Sequence, residues 1–348
     1  MNTPRVTVIM PAYNAGQTIA DSIASILEQS LQDLELLVID DGSKDRTADI
    51  ARSFGDARVR VLSNGGNRGI AFSRNRGLEE ARGEFTAYLD SDDISLPGRL
   101  ARQVSFMENN PALGVCGMWI ERFPAAGSRP VPFPGHPDTV RCFLFGYSPI
   151  ATSTAMLRTQ WFRQRGLRYD PGFVTAEDYD VWERASAFFP MANIPEVGVR
   201  YRVHPGQITQ VQRQNLDSMT GAVRKRQLDR LLGNVSEETL ALHNTIMNTH
   251  DAAEARMLPQ AGSWLERIAA ANRARELYPV DVFEEFLADR WINLCHRSAR
   301  DGAATWTAYR GSRFSRHERN GLRGRLRLRL KCLLGSAGLL PGARKNPV

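Results

Sequence analysis

Glu84-Phe85-Thr86-Ala87-Tyr88-Leu89-Asp90-Ser91-Asp92-Asp93 is an apolar-leaning run that stops abruptly in three carboxylates. In extended backbone the side chains of residues i and i+2 point to the same side, so Asp90 and Asp92 can face one point. Two converging carboxylates repel each other unless a cation lies between them, and their oxygen atoms suit a hard ion such as Mg²⁺ or Mn²⁺. The stretch therefore predicts a buried strand that ends in a divalent metal site, the chemistry that holds a diphosphate.

The sequence on either side of this strand alternates between short apolar runs and helix-like stretches. Besides residues 85–90, apolar runs that predict buried strands occupy residues 6–10, 34–40, 59–62 and 114–119. Helical spacing or composition marks residues 19–27, 71–81 and 97–110. Strand–helix alternation of this kind predicts an α/β fold with a parallel sheet and right-handed crossovers.

The rest of the chain shows two other patterns. Ten prolines between residues 123 and 214 predict loops and short mixed strands instead of regular strand–helix units. From about residue 216 onward, apolar residues recur at helical spacing. We therefore expect a main domain over residues 1–215, a helical region over residues 216–312 and a basic tail over residues 313–348.

The basic tail carries much of the net charge of +7 on this 348-residue chain. Eight basic residues and one acidic residue fall between Arg313 and Lys331. Three interpretations compete: contact with an anionic membrane surface, binding to nucleic acid, and a solvated terminus without a partner. The alternation of Arg and Leu is expected to place arginines around most of a helix. We expect no nucleic-acid partner, because aromatic residues are not interleaved with the charges.

The four cysteines lie far apart in the sequence, so neither a zinc site nor a disulfide framework is expected. Unpaired thiols fit a reducing compartment. The strand-like start differs from a signal peptide, and no segment approaches the ~18 uninterrupted apolar residues of a spanning helix. We therefore expect a cytoplasmic protein, peripheral to the inner face of the membrane if the tail binds there.

Polar residues follow three of the predicted strands, at the edge where open parallel sheets bind ligands. Tyr13 follows the first strand, Asp41 the second, and the acidic run from Asp90 the fourth. In a nucleotide pocket, Tyr13 can stack on a base, and Asp41 can accept a hydrogen bond from ribose or base. The arginines of the neighbouring segment, residues 67–77, can face phosphates. The alternative is turn and helix-cap chemistry with no ligand, since Asp and Ser are common directly after strands.

A second acidic group, Glu177-Asp178-Tyr179-Asp180, and a single histidine lie further along the chain. Acids favour the first turn of a helix, so a plain helix start is the alternative to a functional role for Glu177 and Asp178. His204 follows a mixed-polarity strand and precedes a Pro-Gly turn. His204 is either a structural histidine or a residue whose side chain faces the same cleft as the acids.

Six segments, taken in order, carry a resemblance to a known family. They read VIMPAYNAGQTIADSIASILEQS, LLVIDDGSKDRT, NRGIAFSRNRG, YLDSDD, AEDYDVW and YRVHPGQIT, within residues 4–209. In these segments the chain resembles a family 2 glycosyltransferase of the GT-A type. The resemblance implies an α/β fold of GT-A type, with a mostly parallel, doubly wound sheet. The C-terminal helical extension lies outside it.

The resemblance also implies a chemistry and its residues. It implies an inverting enzyme that uses a nucleotide-diphosphate sugar, most often a UDP-sugar, and a divalent metal, Mg²⁺ or Mn²⁺. Asp92 matches the metal ligand, His204 a position near the metal or phosphates, and Asp178, with Glu177 beside it, the catalytic base. Residues 148–153 resemble the part below the transferred sugar. The expected donor-binding residues are Pro11, Tyr13, Asp40, Asp41, Arg74, Asp90 and Ser91.

The implied reaction needs no nucleophilic side chain. The metal neutralises the leaving diphosphate, and Asp178 takes the proton from an acceptor hydroxyl. The expected acceptor is a saccharide or a lipid-linked saccharide, in cell-surface polysaccharide or glycolipid biosynthesis. One alternative is a sugar-1-phosphate nucleotidyltransferase, which would want a Gly-rich basic loop where this chain has Tyr13-Asn14-Ala15-Gly16. The other is a non-catalytic scaffold of the same fold that binds nucleotide sugars.

Overall fold

The computed structural model describes residues 3–123, 128–204, 213–249, 251–316 and 321–340, with the backbone alone at 213–215. The chain divides into two compact units. The first comprises residues 1–144 and 148–220, and the second comprises residues 145–147 and 221–348. The three-part division expected from the sequence stays a prediction.

Among the described residues, nine strands form one sheet in the first unit. They are β1 Val6–Ala12, β2 Leu34–Asp40, β3 Val59–Ser63, β4 Phe85–Tyr88, β5 Ile94–Ser95, β6 Val115–Phe123, β7 Pro130–Val131, β8 Met156–Arg158 and β9 Met191–Arg202. Every residue of β1 and β2 is buried, as expected for parallel strands that are covered on both faces. The five predicted strands are confirmed as β1, β2, β3, β4 and β6.

The order of the strands indicates which edge of the sheet is expected to bind ligands. Across the sheet the order is β3-β2-β1-β4-β8-β6-β9-β5, with β7 beside β6. Strands β3, β2, β1 and β4 run parallel, whereas β8 runs antiparallel to both β4 and β6. The predicted α/β fold is confirmed, and the sheet is mixed beyond β4. Strand β1 lies between β2 on one side and β4 on the other, so the direction in which strands are added reverses at β1. Ligands of open α/β sheets bind at such a switch point, and we therefore expect them beyond the carboxyl ends of β1 and β4.

Seven helices flank the sheet in the described part of the first unit. They are α1 Ile19–Leu27, α2 Thr47–Ser53, α3 Ile70–Glu80, α4 Arg99–Asn109, α5 Pro137–Phe143, α6 Thr159–Gln164 and α7 Glu177–Ala185. Helix α1 buries Ile19, Ile23 and Ile26, which follow the predicted helical spacing. Helix α3 lies close to β1 because residue 77 is glycine: a Cβ atom there would be 2.5 Å from Cγ2 of Ile9. The three predicted helices are confirmed as α1, α3 and α4.

Strand β9 departs from the prediction for the proline-rich middle of the chain. It is a strand of 12 residues, and it pairs with β6 in parallel where loops and short strands were predicted. The register shifts between Ile194, which lies opposite Met118, and Val197, which lies opposite Trp119. Pro195 lies in this bulge, where its missing N–H group costs no ladder hydrogen bond. The prediction was wrong here because proline content alone does not distinguish a bulged strand from a loop.

The second unit is helical, as the apolar spacing after residue 216 predicts. The remaining helices are α8 Arg213–Leu232, most of which belongs to this unit, α9 Glu237–Met247, α10 Leu258–Arg275, α11 Val280–Arg297, α12 Ala303–Gly311 and α13 Gly321–Ser336. Its core buries Trp264, Phe283, Phe286 and Trp291. Within the described ranges, no helix has both the length and the apolar character to cross a bilayer.

Candidate active site

The acidic run after β4 forms a tight turn whose first carboxylate is held on both sides. The backbone N–H of Asp93 donates to the carbonyl oxygen of Asp90 at 3.1 Å, which closes the turn. Oδ1 of Asp90 accepts a hydrogen bond from Arg74 at 3.2 Å, and Oδ2 accepts one from the hydroxyl of Ser153 at 2.8 Å. These two bonds fix the orientation of the Asp90 side chain.

Asp92 lies against His204, which comes from the distant end of β9. Nε2 of His204 is 3.0 Å from Oδ2 of Asp92. Arg202 links the end of β9 to the acidic turn. Its backbone N–H donates to Oδ1 of Asp93 at 2.9 Å, and its Nε donates to the carbonyl oxygen of Asp92 at 2.7 Å. The structure therefore brings together the two residues that the sequence suggested as metal ligands.

The pair formed by Asp92 and His204 fits a divalent ion that shares its other ligands with a substrate. Mg²⁺ ligands in adjacent octahedral positions, each roughly 2.1 Å from the ion, lie roughly 3 Å apart, which matches this pair. Within the described ranges, no group of three or more His, Cys, Asp or Glu side chains is placed to hold a metal. Mg²⁺ is commonly held by one or two carboxylates together with phosphates and water, so Asp92 would be the main protein ligand. Burial and the charge of Asp90 raise the pKa of Asp92, and a cation would favour its ionised form.

Arg74 joins the acidic turn to the second acidic group. Its Nη1 donates to Oε1 of Glu177 at 2.6 Å, and its Nη2 donates to Asp90 at 3.2 Å. Arg74 is 5% exposed. Burial by itself would lower the pKa of Arg74, but the charges of Asp90 and Glu177 raise it above its ordinary value. The sequence suggested that Arg74 faces phosphates. In the structure its guanidinium is occupied by carboxylates, so a direct role in donor binding stays a prediction.

Glu177 and Asp178 begin helix α7, as the plain helix-start interpretation predicted. Glu177 is buried and paired with Arg74, whereas Asp178 is only half-buried. Oδ2 of Asp178 accepts a hydrogen bond from the hydroxyl of Thr152 at 3.2 Å. Burial, and after it the charge of Glu177, raise the pKa of Asp178 to about 6. A carboxylate with this pKa suits general base chemistry near neutral pH. A role of Asp178 or Glu177 as the catalytic base stays a prediction.

The first two strand ends supply one exposed aromatic residue and two buried acids. Pro11 is buried inside β1, and Tyr13 just beyond β1 is 45% exposed, so its ring is accessible to a base. Asp40 accepts a hydrogen bond from the backbone N–H of Ser43 at 3.2 Å, which shapes the following turn.

Ser91, in the turn after β4, is the last of the expected donor-binding residues. Its carbonyl oxygen accepts a hydrogen bond from the hydroxyl of Thr18 at 2.9 Å. These contacts position the backbone, and contact of any of these residues with a donor stays a prediction.

Asp41 holds the loop that leads into α3. Its Oδ1 accepts hydrogen bonds from Nδ2 of Asn64 at 2.7 Å and from the backbone N–H of Arg68 at 2.9 Å. Its Oδ2 accepts one from the backbone N–H of Gly69 at 2.8 Å. Asp41 therefore positions this loop through three acceptor positions, and since a carboxylate has about four, its contact with ribose or base stays a prediction.

Sequence reasoning did not assign roles to three residues that organise the site. Ser153 orients Asp90, Thr152 contacts Asp178, and Arg202 carries the end of β9 to the acidic turn. All three lie in segments in which the chain resembles the family, residues 148–153 and YRVHPGQIT. Their types and spacing contain no signal for these contacts, because each partner lies far away in the sequence.

Comparison with known proteins identifies the family. Residues 7–166 match the model described as glycosyl transferase family 2. An uncharacterized glycosyltransferase of Haemophilus influenzae is 34% identical over 224 residues, which are 60% of this chain and 69% of that protein. A UDP-Glc:alpha-D-GlcNAc-diphosphoundecaprenol beta-1,3-glucosyltransferase of Escherichia coli is 46% identical over 105 residues, which are 30% of this chain and 42% of that protein. The chain belongs to glycosyl transferase family 2 and is a glycosyltransferase.

Solved structures show the same fold. S. aureus TarS 1-349 in complex with UDP-GlcNAc matches with a TM-score of 0.57 and 17% identity, covering 88% of this chain and 92% of that chain. A mannosyltransferase from Pyrobaculum calidifontis in complex with GDP-Man and Mn²⁺ matches with a TM-score of 0.54 and 20% identity, covering 86% and 87%. At this identity the likeness concerns the fold alone, and it confirms the predicted GT-A type.

Proposed function

We propose that this enzyme transfers a sugar from a nucleotide-diphosphate donor to an acceptor hydroxyl, with inversion and with the help of a divalent ion. One observation carries the proposal: two acidic groups that are far apart in sequence belong to one closed network. Arg74 bridges Asp90 and Glu177, and the adjacent residues Ser153 and Thr152 contact Asp90 and Asp178. A glycosyl transfer of this kind needs both parts, a carboxylate site for a metal diphosphate and a separate base.

The residues divide the chemistry between them. Asp92 and His204 would hold the ion, which when bound neutralises the charge that develops on the leaving diphosphate. Asp178 accepts the proton of the acceptor hydroxyl. The bond from that oxygen to the anomeric carbon then forms as the bond to the phosphate oxygen breaks. Attack on the face opposite the leaving group inverts the anomeric carbon, and Ser153 and Arg74 keep Asp90 in place beside the donor.

Relatives support the choice of substrates and cofactor. The E. coli relative is named for a UDP-glucose donor and a GlcNAc-diphosphoundecaprenol acceptor. The S. aureus neighbour binds UDP-GlcNAc, and the mannosyltransferase binds GDP-Man with Mn²⁺. We therefore propose a UDP-sugar donor, a lipid-linked saccharide acceptor and Mg²⁺ or Mn²⁺ as the ion. The product belongs to a cell-surface polysaccharide or a glycolipid, and the reaction takes place on the cytoplasmic side, where nucleotide sugars are supplied.

The test is the release of UDP from a panel of UDP-sugars, with a lipid diphosphate-linked saccharide as acceptor. We expect release to depend on Mn²⁺ or Mg²⁺ and to fall at least a hundredfold in Asp92→Ala, since one metal-ligand position is lost. Asp49→Ala removes an exposed carboxylate of the same unit and should release UDP like the wild type.

Each alternative predicts a different result in the same experiment. A non-catalytic scaffold would be stabilised by UDP-sugars against heat but would release no UDP under any condition. A nucleotidyltransferase would form a nucleotide sugar and pyrophosphate from UTP and a sugar-1-phosphate. Either outcome would replace the proposed function.

A further inference from the structure

Helix α13 in the second unit has one face that is packed and one that is not. Gly324, Leu328 and Cys332, spaced four residues apart, are buried on the inner face of the helix. At its C-terminal end a Cβ atom on Gly335 would lie 2.2 Å from the carbonyl oxygen of Ala299, so the helix backbone approaches this neighbour directly. This packing fixes the rotation of α13 about its own axis.

The opposite face of α13 presents a row of leucines to solvent. Leu322, Leu326, Leu330 and Leu333, named here the leucine row, are 73%, 55%, 58% and 61% exposed. Their spacing of four, four and three residues places them on one stripe of a helix. Single exposed leucines are ordinary on a protein surface, but four aligned on one helix form a patch of the kind that marks an interaction site.

Arginines border the leucine row on both sides. At 3.6 residues per turn, Arg323 and Arg327 lie along one side of the row and Arg329 along the other. All three are exposed, and none of them makes an ion pair or a hydrogen bond with another described part of the chain. Burial and the charge of Arg327 lower the pKa of Lys331 on the same helix, so positive charges are crowded here. The arginines are thus available to an external anion.

We propose that α13 docks on the surface of an anionic phospholipid bilayer. The helix lies in the plane of the interface, with the leucine row among the upper acyl chains and the flanking arginines on headgroup phosphates. The sequence suggested that arginines would surround most of the helix. Arginines do lie on both sides of the leucine row, and packing of the inner face leaves this row as an apolar stripe between them, the arrangement typical of interfacial helices.

Two other occupants fit this surface less well. Nucleic acid would contact the aliphatic side chains of the leucine row, which has no aromatic ring to stack on a base. A second copy of this chain would bring the arginine borders of two identical helices together, and like charges at an interface are repulsive. The proposal concerns binding to lipid alone, and it is independent of the proposed sugar donor and acceptor.

The test is sedimentation of the full-length chain with vesicles of phosphatidylglycerol and phosphatidylcholine, and with vesicles of phosphatidylcholine alone. We expect binding to the anionic vesicles that weakens with salt. Changing Arg323, Arg327 and Arg329 to Gln should weaken it on the order of a hundredfold, since each cation near the surface contributes attraction. Changing the four residues of the leucine row to Gln should weaken it at least about tenfold at unchanged net charge.

A matched control removes the same charge elsewhere. Arg52, Arg102 and Arg168 are exposed arginines of the first unit, and changing all three to Gln should leave vesicle binding nearly unchanged. Circular dichroism and thermal unfolding of each variant establish that it is folded.

Four results would overturn the proposal. The first is no binding to anionic vesicles at low salt, and the second is equal binding by the leucine-row variant and the wild type. The third is tighter binding to duplex DNA than to vesicles, with loss of DNA binding in the arginine variant, which would assign the surface to nucleic acid. The last is a dimer in solution that becomes monomeric in the leucine-row variant, which would assign the surface to a second copy.

Discussion

At the scale of single residues, the site depends on carboxylates whose surroundings differ. Asp90 and Glu177 share the cation of Arg74, whereas Asp178 is half-buried and accepts hydrogen bonds from neutral groups only. A carboxylate that is paired with a buried arginine is held in place by that cation. An unpaired and partly buried one has a higher pKa and can accept a proton. This difference separates the two acids that Arg74 holds in place from Asp178, the proposed base.

Asp178→Asn should lower kcat by roughly 10²- to 10⁴-fold, the contribution typical of a general base, and leave donor affinity nearly unchanged. Because burial raises the pKa of Asp178 to about 6, kcat/KM of the wild type should fall as the pH drops through about 6. That acidic limb should be absent from the residual activity of the variant. Steady-state kinetics between acidic and alkaline pH, with Asp170→Asn as the control, measure both effects. An unchanged acidic limb in Asp178→Asn would exclude Asp178 as the base.

The same raised pKa has a consequence for stability. In the unfolded chain an Asp has a pKa of about 3.9, so the folded state binds the proton of Asp178 more tightly. The stability that this proton contributes is present at low pH and is lost as the pH rises through about 6. Thermal unfolding of Asp178→Asn should therefore show a gain in stability above pH 6, relative to the wild type, that disappears under acidic conditions. The gain identifies a residue retained for function at a cost in stability.

Arg74→Gln should lower the free energy of unfolding by about 3 kcal/mol, because it leaves the buried carboxylate of Glu177 without its cation. Arg76→Gln on the same helix is the control, since Arg76 bonds to the neutral oxygens of Ser63 and Asn64. Urea unfolding measures the free energy of unfolding of both variants. Adding Glu177→Gln to Arg74→Gln should recover part of the loss, because the isolated charge is then removed. Equal losses in the variants of Arg74 and Arg76 would show that the bridge contributes nothing specific.

At the scale of elements, close packing of α3 on β1 holds the network together. Arg74 and Gly77 lie on the same helix, and the missing side chain of Gly77 leaves the room that Ile9 of β1 occupies. The position of the guanidinium of Arg74 therefore depends on the apolar contact between Gly77 and Ile9. The end of β9 is held by polar contacts, since the backbone N–H and the side-chain Nε of Arg202 both donate hydrogen bonds to the acidic turn.

Gly77→Ala should destabilise the protein by roughly 1–3 kcal/mol, the cost typical of overpacking in a core. The loss should appear although alanine favours a helix by about 1 kcal/mol over glycine, since the new Cβ would be 2.5 Å from Cγ2 of Ile9. Gly66→Ala is the control, because a Cβ there meets nothing within 4 Å. Thermal unfolding followed by circular dichroism measures the difference. A more stable Gly77→Ala variant would mean that α3 can move away from β1 without cost.

At the scale of the whole molecule, chemistry and charge lie in different units. All residues of the proposed network belong to the first unit, and helix α13 with its leucine row belongs to the second. The segment from Arg313 to Lys331 has eight basic residues and one acidic residue. Its net positive charge of +7 equals that of the entire chain. The remainder is neutral overall, so long-range attraction to an anionic surface would act on this segment.

Local patterns in the sequence determined the α/β class, the five buried strands and the acidic turn after β4. Strand and helix periods are read from neighbouring residues, and six family segments were recognisable without any structure. Tertiary structure decided which side chains meet. Arg74 and Glu177 are 103 positions apart, and Asp92 and His204 are 112 positions apart, so their contacts depend on strand order and register. Packing against one face of α13 likewise decided which leucines face solvent, since a helix can turn about its axis until a neighbour holds it.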